Sequence, residues 1–161
     1  MTLLVAVLIQ IGTNFANDVF DFEKGADQED RLGPTRATQS GLISAEKMKK
    51  AMWLVFTMAI CVGFYLASIG GWPIVIIGLA SIAAGIAYTG GPYPLGYHGF
   101  GDVFVFIFFG LIAVPGTYYL QSGTINELSL FMGVAMGMLS TAILVMRLCN
   151  AWAGRFAPPV I

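Results

Sequence analysis

Gln10, Asn14, Asp18 and Asp21 follow one another at intervals of four, four and three residues, so a helix over 10–21 puts all four on one face. Asn17 lies beside that face, one turn before Asp21. Amide and carboxylate oxygens in this pattern suit a hard divalent cation such as Mg2+, which takes oxygen ligands and often shares them with a phosphate. The competing reading is a helix end leaving a bilayer, where polar residues are ordinary. The next residues weigh against it: Lys24, Asp27, Asp30, Arg31 and Arg36 come directly afterwards, and carboxylates on membrane segments are usually functional.

A diphosphate carried with Mg2+ would use both signs of charge. Asp18 and Asp21 would hold the metal, while Lys24, Arg31 and Arg36 would neutralise phosphate oxygens. The alternative is a solvated loop in which these basic groups pair with acidic neighbours, each pair contributing ~0 to 1 kcal/mol. Lys47, Lys49 and Lys50 read as a basic collar at a membrane surface. Tyr88, Tyr93 and Tyr97 are either aromatic groups that stabilise a cation or stack on an acceptor, or ordinary interfacial aromatics. His98 is the only histidine, which makes a zinc site improbable. Asp102 precedes an apolar run and has two readings: it faces a cavity, or it caps the next helix and meets its dipole.

The elements that must hold these groups are membrane helices. Of 161 residues, 57% are hydrophobic and 11% charged, with a mean hydropathy of +0.79, outside the range of soluble domains. The expected fold class is all-α, a polytopic transmembrane bundle. An N-terminal helix, 3–20, carries the acidic motif, and four full spans follow over 52–70, 72–88, 103–120 and 128–146. Ser44 is the expected N-cap of the first full span, and Gly70-Gly71-Trp72-Pro73 reverses the chain after it. Pro115-Gly116 is expected to kink the third. Gly133 and Gly137 allow close helix approach and mark internal packing. Cys61 and Cys149 sit in separate apolar runs and read as packing residues. Six of the eight Lys and Arg lie in 14–50, and alternating spans bring Arg147 and Arg155 to the same side. The positive-inside rule makes that side cytoplasmic, and it also receives the loop 89–102 and Asp102. The partner this composition requires is a lipid bilayer; nucleic acid is not expected.

Asn17-Asp18-Val19-Phe20-Asp21 resembles the first acidic signature, Asn-Asp-x-x-Asp, of the UbiA-type intramembrane prenyltransferases. The run 25–41, Gly-Ala-Asp-Gln-Glu-Asp-Arg-Leu-Gly-Pro-Thr-Arg-Ala-Thr-Gln-Ser-Gly, is similar to the branch that prenylates 1,4-dihydroxy-2-naphthoate on the route to menaquinone. The loop 88–97, Tyr-Thr-Gly-Gly-Pro-Tyr-Pro-Leu-Gly-Tyr, and Gly101-Asp102 match that branch too. The resemblance covers about 3–145. It implies Mg2+-dependent transfer of a polyprenyl group from polyprenyl diphosphate to the naphthoate ring, in a bacterial inner membrane. Asn14, Asn17, Asp18 and Asp21 would then form the metal-diphosphate site, with Asn17, Asp18 and Asp21 as metal ligands and Lys24 and Arg36 near phosphate. Tyr88 and Asp102 would line the substrate.

The chain departs from that pattern at its end. Such enzymes have about nine spans and a second acidic motif, whereas 1–146 reads as part of such a domain. The tail 147–161 loses the pattern, reads as no continuation of the helix and is expected to be out of frame. Half a metal site should hold diphosphate weakly, so little activity is expected of this chain alone. Two other classes remain in view: a small multi-span cation carrier, whose ionisable groups belong near the bilayer midplane, and a non-catalytic membrane assembly subunit.

Overall fold

A backbone in hydrocarbon must satisfy its polar groups within its own segment, so the long apolar runs have the helix as their available form. The computed structural model of the chain describes residues 1–25, 36–98 and 100–154, the side chains of 97, 98, 147, 148 and 150–154 excepted. Asp27, Asp30 and Arg31, with Gly33-Pro34, lie outside the described residues, as do Arg155 and the side chains of Tyr97, His98 and Arg147. Among the described residues all regular structure is helical: α1 (Thr2–Glu23), α2 (Ala45–Gly70), α3 (Trp72–Thr89), α4 (Gly101–Val105), α5 (Ala113–Ser122) and α6 (Glu127–Gly154). A short 3-10 turn, Leu95–His98, precedes α4, and a π-helical stretch, Phe106–Ile112, joins α4 to α5. Five segments are long and apolar enough to cross a membrane: α1, α2, α3, the continuous run Gly101–Ser122, and Glu127–Met146 within α6.

Chain reversals follow local chemistry. Ser44 is the N-cap of α2 with extended backbone (φ −67°, ψ 148°), although its side chain makes no capping bond. Between α2 and α3, Gly71 takes φ +68°, a left-handed conformation that glycine adopts without a Cβ penalty. Asn126 and Ser129 cap α6 reciprocally: Asn126 Oδ1 accepts the Ser129 N–H at 2.9 Å, and Ser129 Oγ accepts the Asn126 N–H at 3.3 Å, a capping box.

The fourth span is irregular, but not where the sequence pointed. The distortion occupies Phe106–Ile112 and regular helix has resumed by Pro115. A proline ring crowds the carbonyl four residues earlier and offers it no N–H; here that carbonyl belongs to Leu111, inside the widened turns. The Ala113 N–H reaches back five residues to the Phe108 carbonyl, so backbone pairing continues through the stretch. The helix also does not stop where the sequence pattern breaks near 146: α6 continues to Gly154.

Packing divides into α1, α2 and α3 on one side and the π stretch, α5 and α6 on the other. Ala16, Val19, Met48, Met52 and Phe56 form the core of the first group, with Phe15, Phe20, Ala37, Ala45, Ile82 and Ile86 against it. In the second, a Cβ on Gly110 would lie 2.6 Å from the Gly133 carbonyl oxygen and 2.7 Å from Gly137 Cα, so Gly133 and Gly137 mark internal packing. Cys61 and Cys149 are both exposed, so neither is part of the core formed by the described residues.

Candidate active site

The helix over 10–21 exists, and its polar face changes character along its length. Gln10 and Asn14 are exposed, Asn17 and Asp18 half-buried, and Asp21 only 6% exposed. The stripe thus descends into the best-packed core at the end of α1. Asn14 belongs to the same face but stands outside the group that the fold gathers around Asp18 and Asp21.

A single turn, 37–40, closes over these carboxylates. Its carbonyls bond inward: the Ser40 N–H donates to Arg36 O at 2.9 Å, and the Ile43 N–H to Ala37 O at 3.3 Å. The first N–H groups of a helical turn have no internal partner, and here Asp18 accepts them. Its Oδ2 takes the Ala37 N–H and its Oδ1 the Thr38 N–H, both at 3.2 Å. Arg36 Nη2 pairs with Asp21 Oδ2 at 2.5 Å, both side chains being largely buried. Thr38 is 4% exposed and its hydroxyl has no hydrogen-bond partner among the described residues.

A second wall comes from the end of α3. Thr89 Oγ1 donates to Asn17 Oδ1 at 2.9 Å. The Lys24 ammonium donates to the carbonyls of Thr89 at 2.6 Å and Gly91 at 3.0 Å. Lys24 therefore stands as a bridge between α1 and this turn, a role its sequence position near phosphate did not suggest. Tyr88 fits between two glycines: a Cβ on Gly96 or on Gly101 would lie 2.8 Å from its ring or hydroxyl. Gly101, against the Tyr88 hydroxyl, directly precedes Asp102, which puts Asp102 at the same end of the bundle. Asp102 does not cap α4, whose N-cap is Phe100 with no side-chain cap bond; its place at the helix start fits only the dipole part of the capping reading. It lies in the first turn of α4, and it edges an open cleft of about 670 Å³ that continues over Phe106, Met138 and Val145. Tyr93 is exposed.

Two of the three lysines of the basic collar form ion pairs. Lys49 meets Glu23 at 2.7 Å and lies 5.7 Å from the centre of the Phe20 ring; Lys50 meets Glu46 at 2.7 Å. Thr38 and Thr89 are the site residues that sequence spacing missed, since each reaches α1 only through tertiary contact. The one local signal was for Thr89, a threonine ahead of a Gly-Gly turn.

The donor set is compatible with a hard cation. Among the described residues no group of three His, Cys, Asp or Glu converges, but two carboxylates and an amide oxygen lie on one helix face. Each Asp18 oxygen accepts one N–H and keeps further acceptor capacity. Mg2+ is commonly held by one or two carboxylates, with substrate phosphate and water completing its shell.

Fold and site together define an integral membrane helix bundle with an acidic, oxygen-rich cluster at the end of α1. The chain belongs to the UbiA prenyltransferase family, whose model matches residues 1–153. It is 39% identical over 150 residues to the 1,4-dihydroxy-2-naphthoate octaprenyltransferase of Haemophilus influenzae and 38% identical over 150 residues to that of Escherichia coli. Each alignment covers 89% of this chain and 49% of the relative. The Bacillus subtilis protein of the same name is 31% identical over 135 residues, covering 84% of this chain and 43% of its own. The chain thus spans about half the length of the curated relatives it matches. No solved structure matches it.

Proposed function

We propose that this chain supplies the first half of a prenyltransferase site that moves a polyprenyl group from polyprenyl diphosphate to 1,4-dihydroxy-2-naphthoate, as part of menaquinone formation. The observation that carries this reading is the Arg36–Asp21 ion pair at the end of α1, with Asp18 bound by the 37–38 backbone and Asn17 by Thr89 on the same helix end. Asn17, Asp18 and Asp21 are the candidate ligands of Mg2+. That cation would neutralise the diphosphate as it departs.

The chain's own groups do the rest. Arg36 sits against Asp21 and offers a planar fork suited to phosphate oxygens. Lys24, donating to the 89–91 turn, orders the wall beside them and remains a candidate group near phosphate. The Tyr88 ring is a candidate to stabilise the positive charge that develops on the prenyl group, with Asp102 beside it. The cleft that begins at Asp102 is a surface for the apolar chain. The proposed setting is a bacterial inner membrane with this end of α1 on the cytoplasmic face. A cation carrier is less well supported, since its ionisable groups belong near the midplane.

Half of the relatives' length should give half of the ligand shell, so we expect weak or no turnover by this chain alone. Membranes containing it are assayed for prenyl transfer with Mg2+, a polyprenyl diphosphate and dihydroxynaphthoate, beside Asp18→Ala. Turnover that vanishes in the variant means that the first motif suffices. Mg2+-dependent diphosphate binding without turnover, lost in the variant, supports an incomplete site, and absence of binding rejects the reading.

A further inference from the structure

Hydroxyls in these helices mostly bond within their own helix. Thr57 donates to Trp53 O, Ser68 to Tyr65 O, Ser81 to Ile77 O and Ser122 to Tyr118 O, all at 2.7–2.9 Å. Such back-bonding is the default for a helical Ser or Thr. Thr89 departs from it. Its hydroxyl crosses to α1 and donates to Asn17 Oδ1, 72 residues away in sequence, at 2.9 Å.

Much of the surrounding turn serves to hold that hydroxyl in place. Thr89 is 4% exposed. Its carbonyl and that of Gly91 converge on the Lys24 ammonium, with Gly91 at φ +75°. Gly90 lies where a Cβ would come within 2.6 Å of the Ile86 carbonyl oxygen and 3.0 Å of the Phe20 ring. Residues 89–91 are therefore pressed against the last turn of α1 by a hydroxyl, an ammonium and an aromatic ring.

We propose that Thr89 is the positioning residue for Asn17, an inference that rests on the metal-diphosphate reading above. An amide oxygen has two lone pairs. With one engaged by the Thr89 hydroxyl, the other remains for a divalent cation, and the amide is held oxygen-inward. Without that hydroxyl the side chain is free to rotate and present its NH2 group, which repels a cation. Partners of this kind orient metal ligands, and their loss typically weakens metal binding ~10- to 100-fold.

The test uses the full chain in lipid nanodiscs, with Mn2+ as the probe cation, inorganic diphosphate present, and electron paramagnetic resonance as the readout. Thr89→Val is expected to weaken Mn2+ binding by ~10- to 100-fold, and Thr89→Ser, which keeps the hydroxyl, to restore it. In an Asn17→Ala background Thr89→Val should cost nothing further, because a positioning residue acts only through the group it positions. Should Thr89→Val fail to assemble, Thr89→Ala repeats the comparison. Wild-type affinity in the hydroxyl-free variant, or a loss that persists without Asn17, overturns the assignment. An Asp18→Asn control separates the two levels. If it abolishes binding while Thr89→Val does not, the metal site stands and Thr89 is no part of it. If it changes nothing, or if the wild-type chain binds no Mn2+, the metal reading falls and the positioning role with it.

Discussion

At the scale of single residues, two buried polar contacts make opposite predictions. The Thr38 hydroxyl is buried without a partner among the described residues, and a lost hydrogen bond of this kind costs about 1–3 kcal/mol. Thr38→Val keeps the branched shape and leaves the backbone N–H to Asp18 intact. It should raise stability by about 1 kcal/mol, or about 2–4 °C in the unfolding midpoint for a chain of this size. A lower midpoint in detergent would mean that the hydroxyl has found a partner. Arg36 is the reverse case: Arg36→Met takes the guanidinium away from the buried Asp21 carboxylate and should cost about 3 kcal/mol. Asp21→Asn in the same chain should recover part of that, measured as coupling in a double-mutant cycle. Spacing alone put Asp18 and Asp21 on one face with Asn17 beside it, because helical periodicity is local. It could not reveal Thr38, Thr89 or the bridging position of Lys24, whose partners lie on other elements and depend on how those elements dock.

At the scale of elements, glycine has two meanings here, and sequence does not separate them. Gly110 faces the backbone of Gly133 and Gly137, where a Cβ meets atoms that cannot move aside. Gly110→Ala should therefore separate the fourth span from α6 and destabilise the fold by about 1–3 kcal/mol. Gly63 lies inside α2, where a Cβ would meet nothing within 4 Å, so Gly63→Ala should stabilise that helix by roughly 0.5–1 kcal/mol. Comparing the two unfolding midpoints checks both, and equal shifts would contradict the close crossing. The spans themselves were legible to within a few residues from apolar run length. The π stretch was not, because a proline marks strain near itself but does not say which preceding turns absorb it. The continuation of α6 was hidden for a related reason: a change in composition ends a pattern, but not the backbone hydrogen bonds.

At the scale of the whole molecule, charge placement is the argument. No more than 22% of any spanning window is buried inside the chain, so the spans leave most of their apolar surface to lipid or to further helices. Successive spans alternate in direction, which brings the acidic end of α1, the 36–44 segment and the 89–102 loop to one side and leaves 123–126 on the other. Six of eight basic residues lie in 14–50, and an excess of Lys and Arg in short loops marks the cytoplasmic side. Ser40 and Thr124 are exposed, on opposite sides of this scheme. In a background carrying Cys61→Ser and Cys149→Ser, Ser40→Cys should resist a membrane-impermeant maleimide in intact cells and react after the membrane is opened. Thr124→Cys should react in intact cells. The reverse pattern would put the acidic end of α1 on the outer face and overturn the proposed orientation, and labelling of both from outside would contradict the alternation of the spans.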